Sequence, residues 1–316
     1  MAQPIRWEGV YPALLTPFTA DDQLDLPLFA KNITAQLDAG VHGLIIGGSL
    51  GEASTLSRSE KLALLQTALT TAAGRVRGTS IPGTSIPVLM NIAEQATREA
   101  VACAREAETA GADGLMILPP MRYYADPRET VQFFKTVAES TSLPVMIYNN
   151  PVDYKIMTTV AMFRELAELP NIQAVKESTR DLTNITRMRN AFGDRFNILG
   201  GVDTLAFEAL LAGADGWVAG LVDAFPAETV AIYTLTKAGR LDEARAIYRW
   251  FMPLLELDIH PKLVQYIKLA ATATGIGSEH VRAPRLLLEN TERAQIWQII
   301  QTQLACRPVL NNPPHA

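Results

Sequence analysis

Short runs of continuous hydrophobicity alternate along the chain with longer segments whose apolar residues recur at helical spacing. The runs occupy residues 10–15, 43–48, 88–92, 114–120, 145–148, 172–176, 196–200 and 216–220. A strand with one wet face alternates apolar and polar residues, whereas a run apolar throughout predicts a parallel strand covered on both faces. Between the runs, amphipathic stretches at 26–39, 59–73, 97–110, 127–140, 158–169, 182–192 and 204–212, and another from Pro226, predict helices. Three αβ junctions share one phrase: AGVHG at 39–43, AGADG at 110–114 and AGADG at 212–216. It reads as a helix C-terminus closed by a left-handed glycine, then a turn into a strand. Eight βα units in succession predict a (β/α)8 TIM barrel rather than a doubly wound open sheet.

The length of 316 residues admits one large barrel with an appendage or two ordinary domains, and the repeated units select the first. The barrel is expected over 1–238. A C-terminal helical extension and tail follow over 239–316, with helices expected at 242–257, 261–274, 283–288 and 292–304. A tandem GTSIP, at 78–82 and 83–87, is expected to lengthen an αβ loop on the barrel face away from the chemistry.

Charge removes several classes of partner. The 28 Lys and Arg against 33 Asp and Glu leave a net charge of −5, with no basic cluster for nucleic acid or an anionic membrane surface. The longest uncharged stretch, 78–93, contains Pro82 and Pro87, so no spanning helix is expected. The N-terminus lacks a basic region followed by an apolar run, which points to the cytoplasm. Cys103 and Cys306 are isolated and expected reduced, and His42, His260, His280 and His315 are scattered, so no metal site is expected.

In such a barrel the chemistry sits at the C-terminal ends of the strands. The second strand ends in GGSLGE at 47–52, whose backbone N–H groups and Ser49 hydroxyl suit a carboxylate or a phosphate. The sixth ends in Lys176, the one lysine of eight at a predicted strand end. An amine there is desolvated toward its neutral, nucleophilic form and suits a Schiff base; the alternative is a lysine paired with a carboxylate. The fifth ends in YNNP at 148–151, which sets the Tyr148 phenol beside Lys176 as a group able to move protons.

Taken together, PALLTPF at 12–18, GxxGE at 48–52, YNNP, AVKES at 174–178 and GGVD at 200–203 resemble the dihydrodipicolinate synthase and N-acetylneuraminate lyase family over nearly the whole chain. The resemblance implies that Lys176 forms the Schiff base with a 2-oxo acid and that Tyr148 relays protons. It implies that the turn Gly48, Ser49, Leu50 and Gly51 holds the substrate carboxylate, with Gly201 and Asp203 also at the substrate. It further implies a homotetramer built from dimers that needs no metal or organic cofactor, with the helical extension serving assembly rather than chemistry.

Three departures from the family pattern narrow the activity. Leu50 stands where a relay hydroxyl is expected, and Asp153 where the synthases carry an arginine for a second carboxylate. The tyrosine lent by a neighbouring subunit has Tyr123 or Tyr124 as its nearest counterpart. The pattern therefore looks like a catabolic member rather than the lysine-pathway synthase. The expected activity is a lyase of the type that deaminates and dehydrates 1-pyrroline-4-hydroxy-2-carboxylate in hydroxyproline breakdown. The alternatives are a 2-keto-3-deoxy sugar acid aldolase or dehydratase releasing pyruvate, a synthase-like protein with altered substrate, or a silent barrel that binds an oxo acid. A phosphate cup after the seventh and eighth strands is disfavoured, because Asp203 would repel the anion.

Overall fold

The computed structural model describes residues 5–75, 85–120 and 123–310. Eight parallel strands form its centre: β1 Gly9–Pro12, β2 Leu44–Ile46, β3 Val88–Ile92, β4 Gly114–Ile117, β5 Val145–Asn149, β6 Ile172–Glu177, β7 Asn197–Gly200 and β8 Gly216–Ala219. Their order is β1-β8-β7-β6-β5-β4-β3-β2. A parallel bridge from Ala13 to Ile45, with the Leu14 N–H donating to the Ile45 carbonyl at 2.9 Å, closes the circle. The fold is thus a (β/α)8 TIM barrel followed by C-terminal helices.

The helices are α1 Leu26–Asp38, α2 Arg58–Ala72, α3 Thr97–Thr109, α4 Pro127–Glu139, α5 Pro151–Tyr154, α6 Val160–Leu166, α7 Thr183–Phe192, α8 Ala206–Leu211, α9 Pro226–Lys237, α10 Leu241–Leu255, α11 Leu263–Ala273 and α12 Asn290–Ala305. Local chemistry sets several boundaries. Ser57 with Glu60 and Asp126 with Glu129 form capping boxes that open α2 and α4. The first glycine of each AGxxG phrase takes the left-handed backbone that a Cβ disfavours, with φ of +87° at Gly40, +91° at Gly111 and +101° at Gly213.

The C-terminal helices cover one side of the barrel. The α10 residues Ala244, Ile247, Tyr248, Phe251, Leu254 and Leu255 make a buried stripe at helical spacing against α9. That cover is why α9 is buried on nearly every face. No helix forms over 283–288, where a turn and extended chain run instead. Tertiary anchors at Arg282 take the backbone there: its N–H donates to Glu52 and its guanidinium pairs with Asp22 and Glu60. The stretch expected at 158–169 contracts to α6, and the one-turn α5 precedes it. Most of the duplicated GTSIP, and the end of the tail, lie outside the described residues.

Candidate active site

A cavity opens at the C-terminal ends of the strands, lined among others by Gly48, Ser49, Leu50, Tyr148, Lys176 and Gly201. Tyr148 and Lys176 are cross-strand partners in the β5–β6 register. The Lys176 Nζ sits 4.1 Å from the centre of the Tyr148 ring, and each residue is 7% exposed. Burial pulls the amine below its ordinary pKa, against the opposing fields of Tyr154, Asp258, Asp203 and Asp153. No carboxylate among the described residues comes within ion-pair distance of it, so the paired-lysine alternative does not apply. Gly201 makes room for the side chain, because a Cβ there would lie 2.7 Å from Lys176 Cγ and 2.2 Å from Ser178 Oγ.

The phenol is held from behind. Asn150 Nδ2 donates to Tyr148 Oη at 3.1 Å and to Asp153 Oδ2 at 2.7 Å, which leaves the phenolic proton free to face the cavity. Burial, the largest influence, pushes the Tyr148 pKa up to about 12, so the phenol is a proton carrier in its neutral form. Asp153 also lines the cavity. At the mouth lies Arg180, exposed and with a left-handed φ of +62°.

The turn after β2 divides its labour. The backbone N–H groups of Glu52 and Ala53 close onto the carbonyls of Ser49 and Gly48 at 3.2 and 3.1 Å. No hydrogen bond among the described residues takes the N–H groups of Ser49, Leu50 or Gly51, which leaves donors for an anion. Gly51 itself packs against the segment after β1 rather than the cavity, since a Cβ there would lie 2.7 Å from the Leu14 carbonyl oxygen. Glu52, fully buried and at φ +57°, accepts from Lys268 Nζ at 2.5 Å, the Arg282 N–H at 3.1 Å and the Arg285 guanidinium at 3.4 Å. The turn is thereby fixed to α11 and the segment after it.

Several expectations change. Asp203 does not line the cavity: its carboxylate is buried, accepting from Trp217 Nε1 at 2.9 Å and from the backbone N–H groups of Gly220 and Leu221 at 3.1 and 2.7 Å. It is spent on shaping the turn after β8. Tyr123 and Tyr124 are 60% and 76% exposed and lie outside the cavity of their own chain, as a side chain offered to a neighbouring subunit would, and the Tyr123 hydroxyl donates to Glu129 at 3.0 Å. Leu50 is buried, and the hydroxyl in this turn belongs to Ser49, which is hydrogen-bonded to Tyr154 Oη. Among the described residues no group of three or more His, Cys, Asp or Glu is placed to hold a metal ion, and no helix is long and apolar enough to cross a membrane.

Several cavity residues were not singled out from the sequence, Tyr154 and Asp258 among them. Tyr154 reaches the site because Asn150 caps and Pro151 starts α5, returning the chain within one turn to meet Tyr148 edge-on at 5.4 Å between ring centres. Burial holds its pKa well above the ordinary value. Asp258 comes from a 3-10 turn, Glu256–Ile259, in the C-terminal helical part, so that part lines the site instead of serving assembly alone. A Cβ on Gly220 would lie 2.6 Å from Asp258 Oδ1 and 3.5 Å from Asp203 Oδ2, so the two carboxyls flank one glycine. Burial raises the Asp258 pKa well above the carboxylate range, helped by Asp203 and opposed by Lys176.

A desolvated lysine at a barrel strand end, beside a phenol and facing an anion-binding turn, is the arrangement of a Schiff-base lyase. Residues 6–303 match the model of the dihydrodipicolinate synthetase family. The 4-hydroxy-tetrahydrodipicolinate synthase of Exiguobacterium sibiricum is 32% identical over 307 residues, covering 96% of this chain and 99% of that one. Its counterpart from Acidiphilium cryptum is 32% identical over 292 residues, covering 92% and 96%. Among solved structures, dihydrodipicolinate synthase DapA-2 from Bacillus anthracis superposes with a TM-score of 0.87 at 25% identity, covering 95% and 99%. A prophage protein of the dihydrodipicolinic acid synthase family from E. coli K12, solved with pyruvate, gives 0.85 at 28% identity, covering 95% and 99%. The chain belongs to the dihydrodipicolinate synthetase family.

Proposed function

We propose that this protein is a catabolic lyase that deaminates and dehydrates a hydroxylated cyclic imino acid of the 1-pyrroline-4-hydroxy-2-carboxylate type. The observation that carries the Schiff-base part is the unpaired, buried Lys176 amine lying on the face of Tyr148. What favours a substrate with one carboxylate is Asp153, an anion on the cavity wall that disfavours a second one.

In this reading the Ser49 and Leu50 N–H groups hold the substrate carboxylate. The neutral Lys176 Nζ adds to C2 of the ring C=N, whose electron pair moves to the ring nitrogen, and that nitrogen takes a proton. Breaking the ring C–N bond leaves an iminium on Lys176 and a primary amine at the far end. Tyr148 carries the protons of these steps. Loss of a C3 proton gives the enamine, which expels the C4 hydroxyl as water. Proton shifts then turn the terminal amine into an imine, and hydrolysis of that imine and of the lysine adduct releases ammonia and an oxo acid semialdehyde. The balance over the cycle is one water consumed. The active form in this reading is a homotetramer built from dimers.

Borohydride trapping with pyruvate, followed by peptide mass mapping, tests the core: the adduct is expected on Lys176, and its absence overturns the mechanism. Ammonia with an oxo acid semialdehyde supports the deaminase. Pyruvate release from 2-keto-3-deoxygluconate instead supports a sugar acid aldolase, a reading favoured by the pyruvate held in the E. coli relative.

A further inference from the structure

We propose that Tyr154 and Ser49 form a hydroxyl pair, supplied by a single chain, that transfers the proton at the substrate's C4 hydroxyl. The inference rests on the Schiff-base reading above, and it assigns the second proton transfer that Tyr148 alone leaves open.

Three observations carry it. The Tyr154 and Ser49 hydroxyls are hydrogen-bonded to each other, with either able to donate, and both residues line the cavity that holds Lys176. Tyr154 packs edge-on against Tyr148, so the two phenols approach one space from β5 and from the helix that follows it. Ser49 sits in the turn whose free N–H groups suit the carboxylate, which places the pair at the substrate and not behind it. Tyr123 and Tyr124 are exposed and lie outside the cavity of their own chain, so they are not part of this pair.

As the enamine nitrogen lone pair becomes the iminium π bond, the C4–O bond breaks and its electrons leave with the oxygen. Ser49 gives its proton to that oxygen, forming water, and takes the Tyr154 proton in exchange. The phenolate left on Tyr154 is matched by the new positive charge on the Lys176 nitrogen, a field that favours the ionised phenol. Ser49 is exposed to solvent, from which the proton is restored. In an aldol cleavage the same pair runs in reverse and accepts the C4 hydroxyl proton.

The test measures turnover of 1-pyrroline-4-hydroxy-2-carboxylate, or of 2-keto-3-deoxygluconate if that is the substrate turned over, since both carry a C4 hydroxyl. Tyr154→Phe and Ser49→Ala are each expected to lower kcat about 100-fold with KM changed less than about threefold, and to alter the pH profile of kcat. Ser49→Thr, which keeps a hydroxyl, is expected to restore most of the rate. Should Tyr154→Phe lower the melting temperature enough to confuse the result, the Ser49 pair of variants decides alone. Wild-type kcat and pH profile in Tyr154→Phe or in Ser49→Ala overturn the proposal, as does an equal loss in a Tyr123→Phe/Tyr124→Phe double variant. Failure of pyruvate trapping on wild-type Lys176 overturns the Schiff-base reading instead, so the two failures are distinguishable.

Discussion

Three lysines are buried among the described residues, Lys61 against Glu94, Lys176 and Lys268, and what faces the last two separates chemistry from architecture. Lys268, 1% exposed, donates to the Glu52 carboxylate at 2.5 Å and to the His280 carbonyl at 2.6 Å. Lys176 has burial of the same order but faces a phenol ring and a cavity, with carboxyls present only at a distance. Burial lowers the pKa of both, and brings Lys268 down to about 8 despite Glu52. A satisfied buried charge holds two segments in register, while an unsatisfied one is a neutral amine waiting for a carbon.

The sharpest way to break this contrast is to remove each amine. Lys176→Met is expected to abolish the trapped adduct and all turnover without loss of stability, because no partner is orphaned. Lys268→Met removes the nearest cation from buried Glu52, leaving it only the more distant Arg285 guanidinium, and should cost up to about 3–5 kcal/mol, read by chemical denaturation. If the two variants behave alike, the contrast is wrong. Next in size, Tyr148→Phe is expected to lower turnover about 100-fold or more with the melting temperature little changed, since Asn150 loses only an acceptor.

Smaller effects concern pH. Because the folded Lys176 pKa is depressed, the reactive neutral amine appears as pH rises through a value below the ordinary lysine range, and the trapping rate with pyruvate should climb there. A lysine depressed on folding binds a proton more readily when unfolded, so Lys268 contributes rising stability between about pH 8 and its ordinary value, and Lys268→Met should flatten that rise.

What could be read from the sequence follows how local each cause is. The AGxxG phrase predicts left-handed glycines because the helix end, the glycine and the strand start are adjacent, and Gly40, Gly111 and Gly213 all adopt that backbone. Lys176 and Tyr148 were legible because strand ends of a barrel have a fixed address. Asp203 shared that address, but a sequence does not say whether a carboxylate turns into the cavity or back onto the next loop, and here backbone N–H groups captured it. Tyr154 was hidden by a single helical turn too short to leave a periodicity. Asp258 was hidden by distance, since its place beside Gly220 depends on how the C-terminal helices pack. The missing helix at 283–288 has the same origin in the long-range contacts of Arg282.

The anchoring of Glu52 also sets an order of events during synthesis. Its partners Lys268, Arg282 and Arg285 lie 216, 230 and 233 positions later in the chain. At ribosomal speeds of about 5–20 residues per second, the turn that receives the substrate emerges roughly 10–50 s before the cations that neutralise its acid. Until then Glu52 has every reason to stay in water, and the nascent barrel carries an unfinished mouth that only the last stretch of translation completes.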